Sequence, residues 1–136
     1  MTSKDGCIFC AIAERTGPAE VVEADERAIA FLDISPATRG HTLVISRNHS
    51  DNLLEIDPED LAHVAQMAQS IAKRMPGALG CDGVNLLNSC GTAAWQTVFH
   101  FHLHVIPRYD DDPLKLPWIP QEPQFEGLAE VAQLLR

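Results

Sequence analysis

No stretch of the sequence approaches the roughly 20 consecutive apolar residues that a membrane-spanning helix needs, so no membrane association is expected. The opening MTSKDGCIFC holds Lys4 and Asp5 where a secretory signal would begin its apolar stretch, and the expected compartment is the cytoplasm. Basic charge is scarce as well. Ten Lys and Arg stand against 19 Asp and Glu, for a net charge of -9, and the basic residues are scattered from Lys4 to Arg136 without a cluster. A nucleic-acid polymer is therefore not an expected partner, because its backbone is held by a basic surface. A single small phosphate ligand stays open, since local hydrogen bonds can hold it. There is no internal repeat and no low-complexity tract. A phosphate-binding loop of the Walker kind is also missing: GALGCDG at 77–83 has its glycines but lacks the lysine and the hydroxyl residue after it. Only four cysteines are present, Cys7, Cys10, Cys81 and Cys90. Without an export signal they read as reduced thiols or metal ligands rather than a disulfide framework.

What is there suits one compact domain spanning 1–136, with a core of about 5–108 and a C-terminal extension over 109–136. The apolar stretch 7–15 reads as a short helix ended by Thr16-Gly17-Pro18. Strands are expected at 21–22, 28–32 and 41–46, the last rich in β-branched residues. The clearest helix starts at Asp57, a capping residue followed by Pro58, Glu59 and Asp60. Its apolar residues Leu61, Val64, Ala65, Ala68, Ile71, Ala72 and Met75 keep the helical period, and Pro76-Gly77 is expected to stop it. That apolar face must cover a sheet. Further strands are expected at 83–87 and 98–106, then a proline-rich irregular stretch from Pro107 and a last short helix over 127–135. Hairpin-like strand succession with one long helix inserted predicts an α+β fold on a mainly antiparallel sheet.

HFHLHVIPR at 100–108 is the most informative segment. Side chains alternate across a strand, so His100, His102 and His104 share one face and Phe101, Leu103 and Val105 the other. The apolar face accounts for the strand and leaves the histidines to be explained. Three imidazoles on the polar face of an ordinary half-exposed strand would be unusual, since Thr, Lys, Glu and Ser normally fill such positions. Cys7-x-x-Cys10 is the second signal; only six residues precede it, which does not suit the strand-first context of a redox motif, and a closed structural zinc site is the better reading. Cys81 with Cys90, or His49 with one of the strand histidines, could complete four ligands. The second pair is favoured, leaving Cys81 and Cys90 as buried apolar residues. With a tetrahedral zinc so filled, chemistry falls to the other two histidines, whose pKa suits nucleophilic attack and proton exchange near neutrality. A phosphorus centre fits two groups a few ångströms apart, one attacking and one at the leaving atom. The neighbouring loop NSCGTAAWQT, 88–97, offers an amide, hydroxyls and backbone N–H groups for phosphate.

Together these residues resemble the histidine triad (HIT) superfamily. Its signature of three histidines separated by apolar residues stands here as His100-Phe101-His102-Leu103-His104-Val105-Ile106, accompanied by AFLDISPATRGHTLVI at 30–45, His49, Asn88 and Gln96-Thr97. The resemblance covers 7–108 and is closest to the bacterial zinc-containing branch of nucleoside-phosphoramidate and dinucleotide hydrolases. It implies a five-stranded, mainly antiparallel sheet with one long and one or two short helices, and a homodimer. It also implies an enzyme, a nucleotidyl hydrolase or transferase acting on the α-phosphate of purine nucleoside phosphoramidates or dinucleoside polyphosphates. In that scheme His102 forms a nucleotidyl-histidine intermediate and His104 contacts the phosphate and helps the leaving group depart. Cys7, Cys10, His49 and His100 match the ligands of a structural zinc; Asp33 matches a ribose-binding acid, Ile34 a residue packed on the base, and Asn88 and Thr97, with Gln96 beside them, the phosphate-side contacts. Histidine rather than glutamine at 104 favours hydrolysis over phosphorolysis. Trp95 stands where relatives often have glycine, and leaving-group preference does not carry over across that change. Two other readings are a hydrolase with catalytic zinc on the strand histidines and a nucleotide-binding protein of low turnover.

Overall fold

The structure is a computed structural model describing residues 2–123 and 125–136. Five strands form one sheet: β1 (Val21–Ala24), β2 (Ala28–Leu32), β3 (Thr42–Ser46), β4 (Gly83–Leu87) and β5 (His102–Arg108). Their order is β1-β2-β3-β5-β4, with antiparallel pairing throughout. Three α-helices accompany them, α1 (Ile8–Ala13), α2 (Pro58–Leu79) and α3 (Leu128–Leu135), and a 3-10 turn occupies Thr92–Ala94.

Burial on both faces explains why β2 and β3 read as continuous apolar runs rather than alternating ones. On one face Ala28, Ala30, Val44 and Val105 meet Val64, Met67, Ala68, Ile71 and Met75 of α2. On the other, Ile29, Phe31, Leu43 and Ile45 meet Phe9 and Ala13 of α1. In the β3–β5 ladder Ile45 stands opposite His102 and Leu43 opposite His104. Opposed residues share a face, so both histidines lie on the α1 side, away from the long helix. The amphipathic helix and the histidine strand thus use opposite faces of the same sheet.

Several boundaries differ from the sequence reading. Pro76 does not end α2, which runs a further turn to Leu79 and stops at Gly80, in the left-handed conformation at φ 71°. A proline inside a helix removes one N–H and strains the turn before it; here the last turn is retained by Leu79, packed on the core beside Gly40. β5 begins at His102 rather than 98, leaving His100 in a bend just before the strand. It also continues through Pro107, paired there only with Val84 of β4 because the β3 ladder ends at the Thr42–Val105 pair. A proline fits where one neighbour has stopped needing an N–H. At the start of the chain Cys7 is not helical but caps α1, its Sγ accepting from Cys10 N–H at 3.3 Å. Cys81 is buried in the α2 core as expected, whereas Cys90 is only half-buried. In α3 no residue is buried, and Leu128, Val131, Leu134 and Leu135 are exposed. Among the described residues no helix is long and apolar enough to cross a membrane.

Candidate active site

Four sequence-predicted ligands come together although they derive from three parts of the chain. Cys7 caps α1 and Cys10 lies within it, His49 comes from the loop after β3 and His100 from the bend before β5, and their donor atoms lie within 4.8 Å of one another. His100 Nδ1 is 3.4 Å from Cys7 Sγ and 3.5 Å from Cys10 Sγ, and His49 Nδ1 is 3.3 Å from Cys10 Sγ. A tetrahedral zinc with Zn–S about 2.3 Å and Zn–N about 2.05 Å sets sulfur and nitrogen about 3.5 Å apart, so the spacing fits that ion. The outward hydrogen bonds fit it too. His100 Nε2–H donates to the Ser46 carbonyl at 2.7 Å, and His49 Nε2–H donates to Asp51 at 2.7 Å. Both imidazoles therefore turn a bare Nδ1 lone pair to the sulfurs, the arrangement in which an outer oxygen orients a metal-binding histidine. Burial lowers His100 to about 4, which keeps that lone pair free, while Asp51, accepting from His49, is held below the usual carboxylate range.

His102 and His104 line a cavity of about 500 Å³ with Asp33, Ile34, Thr97, and apolar side chains of α1 and β2. His102 is buried, and its Nδ1–H donates to the carbonyl of His100 at 2.7 Å. Nε2 is left with the lone pair. Burial lowers its pKa against the opposing pull of that carbonyl, so the ring is neutral at pH 7. The His104 ring lies 5.0 Å from that of His102, centre to centre, and burial, then His102 and His41, bring it down to about 4.

His41 is the residue that the sequence reading missed. It is 6% exposed, its Nε2 is 2.9 Å from His104 Nδ1, and its Nδ1 is 2.9 Å from the Ala37 amide nitrogen. Since a backbone N–H can only donate, His41 Nδ1 accepts, its proton sits on Nε2, and His104 Nδ1 accepts in turn. His104 then carries its own proton on Nε2. Asp33 and His41 close the β2–β3 turn through the Asp33 N–H to His41 carbonyl bond of 2.9 Å, which sets the histidine beside the acid. Asp33 Oδ1 accepts from the Ser35 amide at 2.8 Å, forming the turn before Pro36, and Oδ2 lies 3.6 Å from His41 Nε2.

Asp33, His41 and His104 also lie close enough to suggest a second metal site. The proton order opposes it. A metal on His41 Nε2 would require a proton on Nδ1, where the Ala37 N–H already points.

The loop residues divide. Thr97 and Ile34 face the cavity, Ile34 being 94% exposed at its rim. Asn88 donates from Nδ2 to the His102 carbonyl at 2.9 Å and so braces the strand. Gln96 is buried and committed internally: Oε1 accepts from Gly91 N–H at 2.8 Å, and Nε2 donates to the carbonyls of Asp51 at 2.7 Å and Val98 at 3.1 Å. It shapes the loop rather than facing the cavity. Trp95 does not line the cavity either; it ends the 3-10 turn at φ 75°, a left-handed conformation that glycine adopts freely.

Comparison with known proteins gives a consistent picture. The HIT domain family model matches residues 14–111, a span that begins after both sulfur ligands and ends before α3. An uncharacterized HIT-like protein of Saccharolobus solfataricus is 36% identical over 128 residues, covering 93% of this chain and 92% of its own. A crystal structure of a HIT family protein from Bacillus anthracis superposes with a TM-score of 0.89 at 40% identity, covering 98% of this chain and 96% of that one. A Zn-bound histidine triad family protein from Mycobacterium smegmatis superposes with a TM-score of 0.78 at 44% identity, over 85% of this chain and 84% of its own.

Proposed function

Since the chain belongs to the HIT family, we propose that it is a nucleotidyl hydrolase acting on the α-phosphate of purine nucleoside phosphoramidates or dinucleoside polyphosphates. The observation that carries this reading is the proton order in the cavity: a neutral His102 with its proton committed to the His100 carbonyl, a bare Nε2, and His104 beside it with a proton on Nε2. His102 Nε2 attacks phosphorus, the bond from phosphorus to the leaving atom breaks, and the electron pair departs with that atom. The Nε2–H of His104 stabilises the charge that develops there. The His100 carbonyl supports the positive charge that the His102 ring acquires as a nucleotidyl-histidine. Water then attacks phosphorus, the N–P bond breaks, and a nucleoside monophosphate is released. Overall one water is consumed: its hydroxyl ends on phosphorus and its remaining proton on the leaving group.

In this reading Asp33 Oδ2 accepts from a ribose diol, Ile34 and the α1 side chains take the base, and Thr97 gives a hydroxyl to phosphate, in support of which all of them line the cavity. Zinc suits the Cys7, Cys10, His49 and His100 donor set, where its part is to cross-link α1, the loop after β3 and the bend before β5. It takes no part in the phosphoryl steps. The reading with catalytic zinc on the strand histidines is disfavoured because His100 turns Nδ1 to the sulfurs and Nε2 to the Ser46 carbonyl, while His104 Nδ1 is engaged with His41.

The test is to trap the intermediate. Protein mixed with an adenosine phosphoramidate and quenched in alkali is expected to carry one adenylate on the peptide containing His102. Steady turnover with no adduct, by rapid-quench mass spectrometry at any time, would remove the covalent mechanism.

A further inference from the structure

The helix capped by one sulfur ligand and carrying the other also forms a wall of the cavity. α1 is six residues long. Cys7 and Cys10 bracket its first turn and point to the four-residue hub, while Ile8, Phe9, Ala11 and Ile12 line the cavity. A helix this short has little stability of its own and takes its position from whatever fastens it. Besides the apolar packing of Phe9 and Ala13, its C-terminal end is held by Arg47, whose guanidinium donates to the Ala13 carbonyl at 2.7 Å. At the other end the fastening is the hub itself.

One side chain lies between hub and reacting histidine. Phe9, 6% exposed, sets its ring centre 6.0 Å from His100 and 5.1 Å from His102, edge to face at 70° and 88°, with Phe31 behind it at 5.4 Å. The backbone link from His100 to His102 fixes the proton on the His102 ring, and the Phe9 contact fixes the tilt of that ring. We infer that α1 is a metal-fastened wall of the nucleotide cavity, and that Phe9 is the positioning residue through which the Cys7, Cys10, His49 and His100 hub sets the His102 ring. Hub and cavity are thereby energetically coupled. This rests on the nucleotide reading of the cavity and the zinc reading of the hub.

Coupling of this kind is reciprocal: if a metal in the hub tightens nucleotide binding, the nucleotide must tighten metal binding by the same factor. The experiment measures zinc affinity of the full chain by competition with a chromophoric chelator, with and without saturating AMP, and AMP affinity of the zinc-loaded and chelator-stripped protein by calorimetry. AMP is expected to raise zinc affinity about tenfold, and zinc to raise AMP affinity equally. In Phe9→Leu, which keeps an apolar side chain at a buried position, the zinc stoichiometry is expected to stay at one per chain while the coupling factor falls toward one. The wild-type measurement needs no variant, so the idea remains testable if Phe9→Leu folds poorly. AMP binding that is indifferent to zinc, or coupling that persists in a folded Phe9→Leu, overturns the inference and leaves the proposed function standing. A zinc-loaded protein that does not bind AMP overturns the proposed function, and this inference with it.

Discussion

The molecule holds two groups of histidines on one side of one sheet, and their hydrogen bonds run in opposite directions. In the hub, His49 and His100 give their Nε2 protons outward, to Asp51 and to the Ser46 carbonyl, and turn lone pairs inward to the sulfurs. In the cavity, the Ala37 amide fixes the proton of His41, and His41 in turn fixes that of His104, so a proton is presented where the hub presents a lone pair. His102 joins the two, its Nδ1 proton held by the His100 carbonyl and its Nε2 left unengaged. Ring type and burial are similar in both groups. What separates a metal-ligand role from a proton-handling role is which outer group each ring faces, and that is set by the backbone around it.

If the division holds, substitutions should damage one group without the other. His102→Ala is expected to lower release of AMP from an adenosine phosphoramidate by about 10⁴-fold, as loss of a covalent nucleophile does, while zinc content stays at one per chain. Near-normal turnover would erase the distinction. His41→Phe keeps the ring volume but removes the proton offered to His104. A fall in kcat of about 100-fold is expected, the scale of a lost general acid–base arrangement, again with zinc unchanged; a fall in metal content instead would merge the two groups.

The reverse experiment acts on the outer shell of the hub. Asp51→Asn weakens the hold on His49 Nε2 and is expected to lower zinc affinity about tenfold, the lower end of what second-shell carboxylates contribute. The pH profile of any AMP-releasing activity should keep its shape.

The cavity group should have its own pH signature. His104, facing His102, His41 and Asp33, is held at about 4, below the 6.5 of an unperturbed histidine. Between those values the unfolded chain binds a proton that the native chain does not, so stability is lost as pH falls from 6.5 toward 4. For a fully enclosed ring this would be about 3 kcal/mol. His104 opens onto the cavity, and about 1 kcal/mol is expected after solvent screening. Comparing wild type with His104→Gln by urea unfolding at pH 7 and pH 4.5 isolates this contribution: the wild type should lose more stability than the variant. Equal losses would mean that the His104 pKa does not differ between the folded and the unfolded chain.

Much of this was legible because the residue types are rare in such patterns. Alternating histidines and a Cys-x-x-Cys motif advertise themselves, and the long helix announces both its cap and its apolar face. What escaped the sequence depends on distances in space. Nothing local distinguishes His41 from the opening residue of an ordinary strand; it becomes a partner of His104 only through the β2–β3–β5 pairing. Likewise Gln96 sits in a phosphate-side motif, yet both ends of its amide are spent on backbone groups of its own loop, of the segment at Asp51 and of Val98. The end of α2 was misplaced because proline's cost is local, whereas Leu79, which packs on the core in the last turn, depends on tertiary contacts.

Trp95 offers the smallest test, and one outside both groups. Its φ of 75° places a bulky residue where a Cβ is disfavoured, and its side chain is 59% exposed. The strain costs about 1–2 kcal/mol, partly offset in a glycine variant by the greater freedom of the unfolded chain. Trp95→Gly is therefore expected to raise stability by about 1 kcal/mol, or Tm by about 3 °C for a domain of this size. Trp95→Ala separates the two causes that such a gain could have. Alanine removes the indole but keeps the Cβ, so if backbone strain is responsible it should gain little. A rise in Tm equal to that of the glycine variant would trace the cost to the indole, and would make Trp95 a side chain the loop tolerates rather than a backbone position it strains.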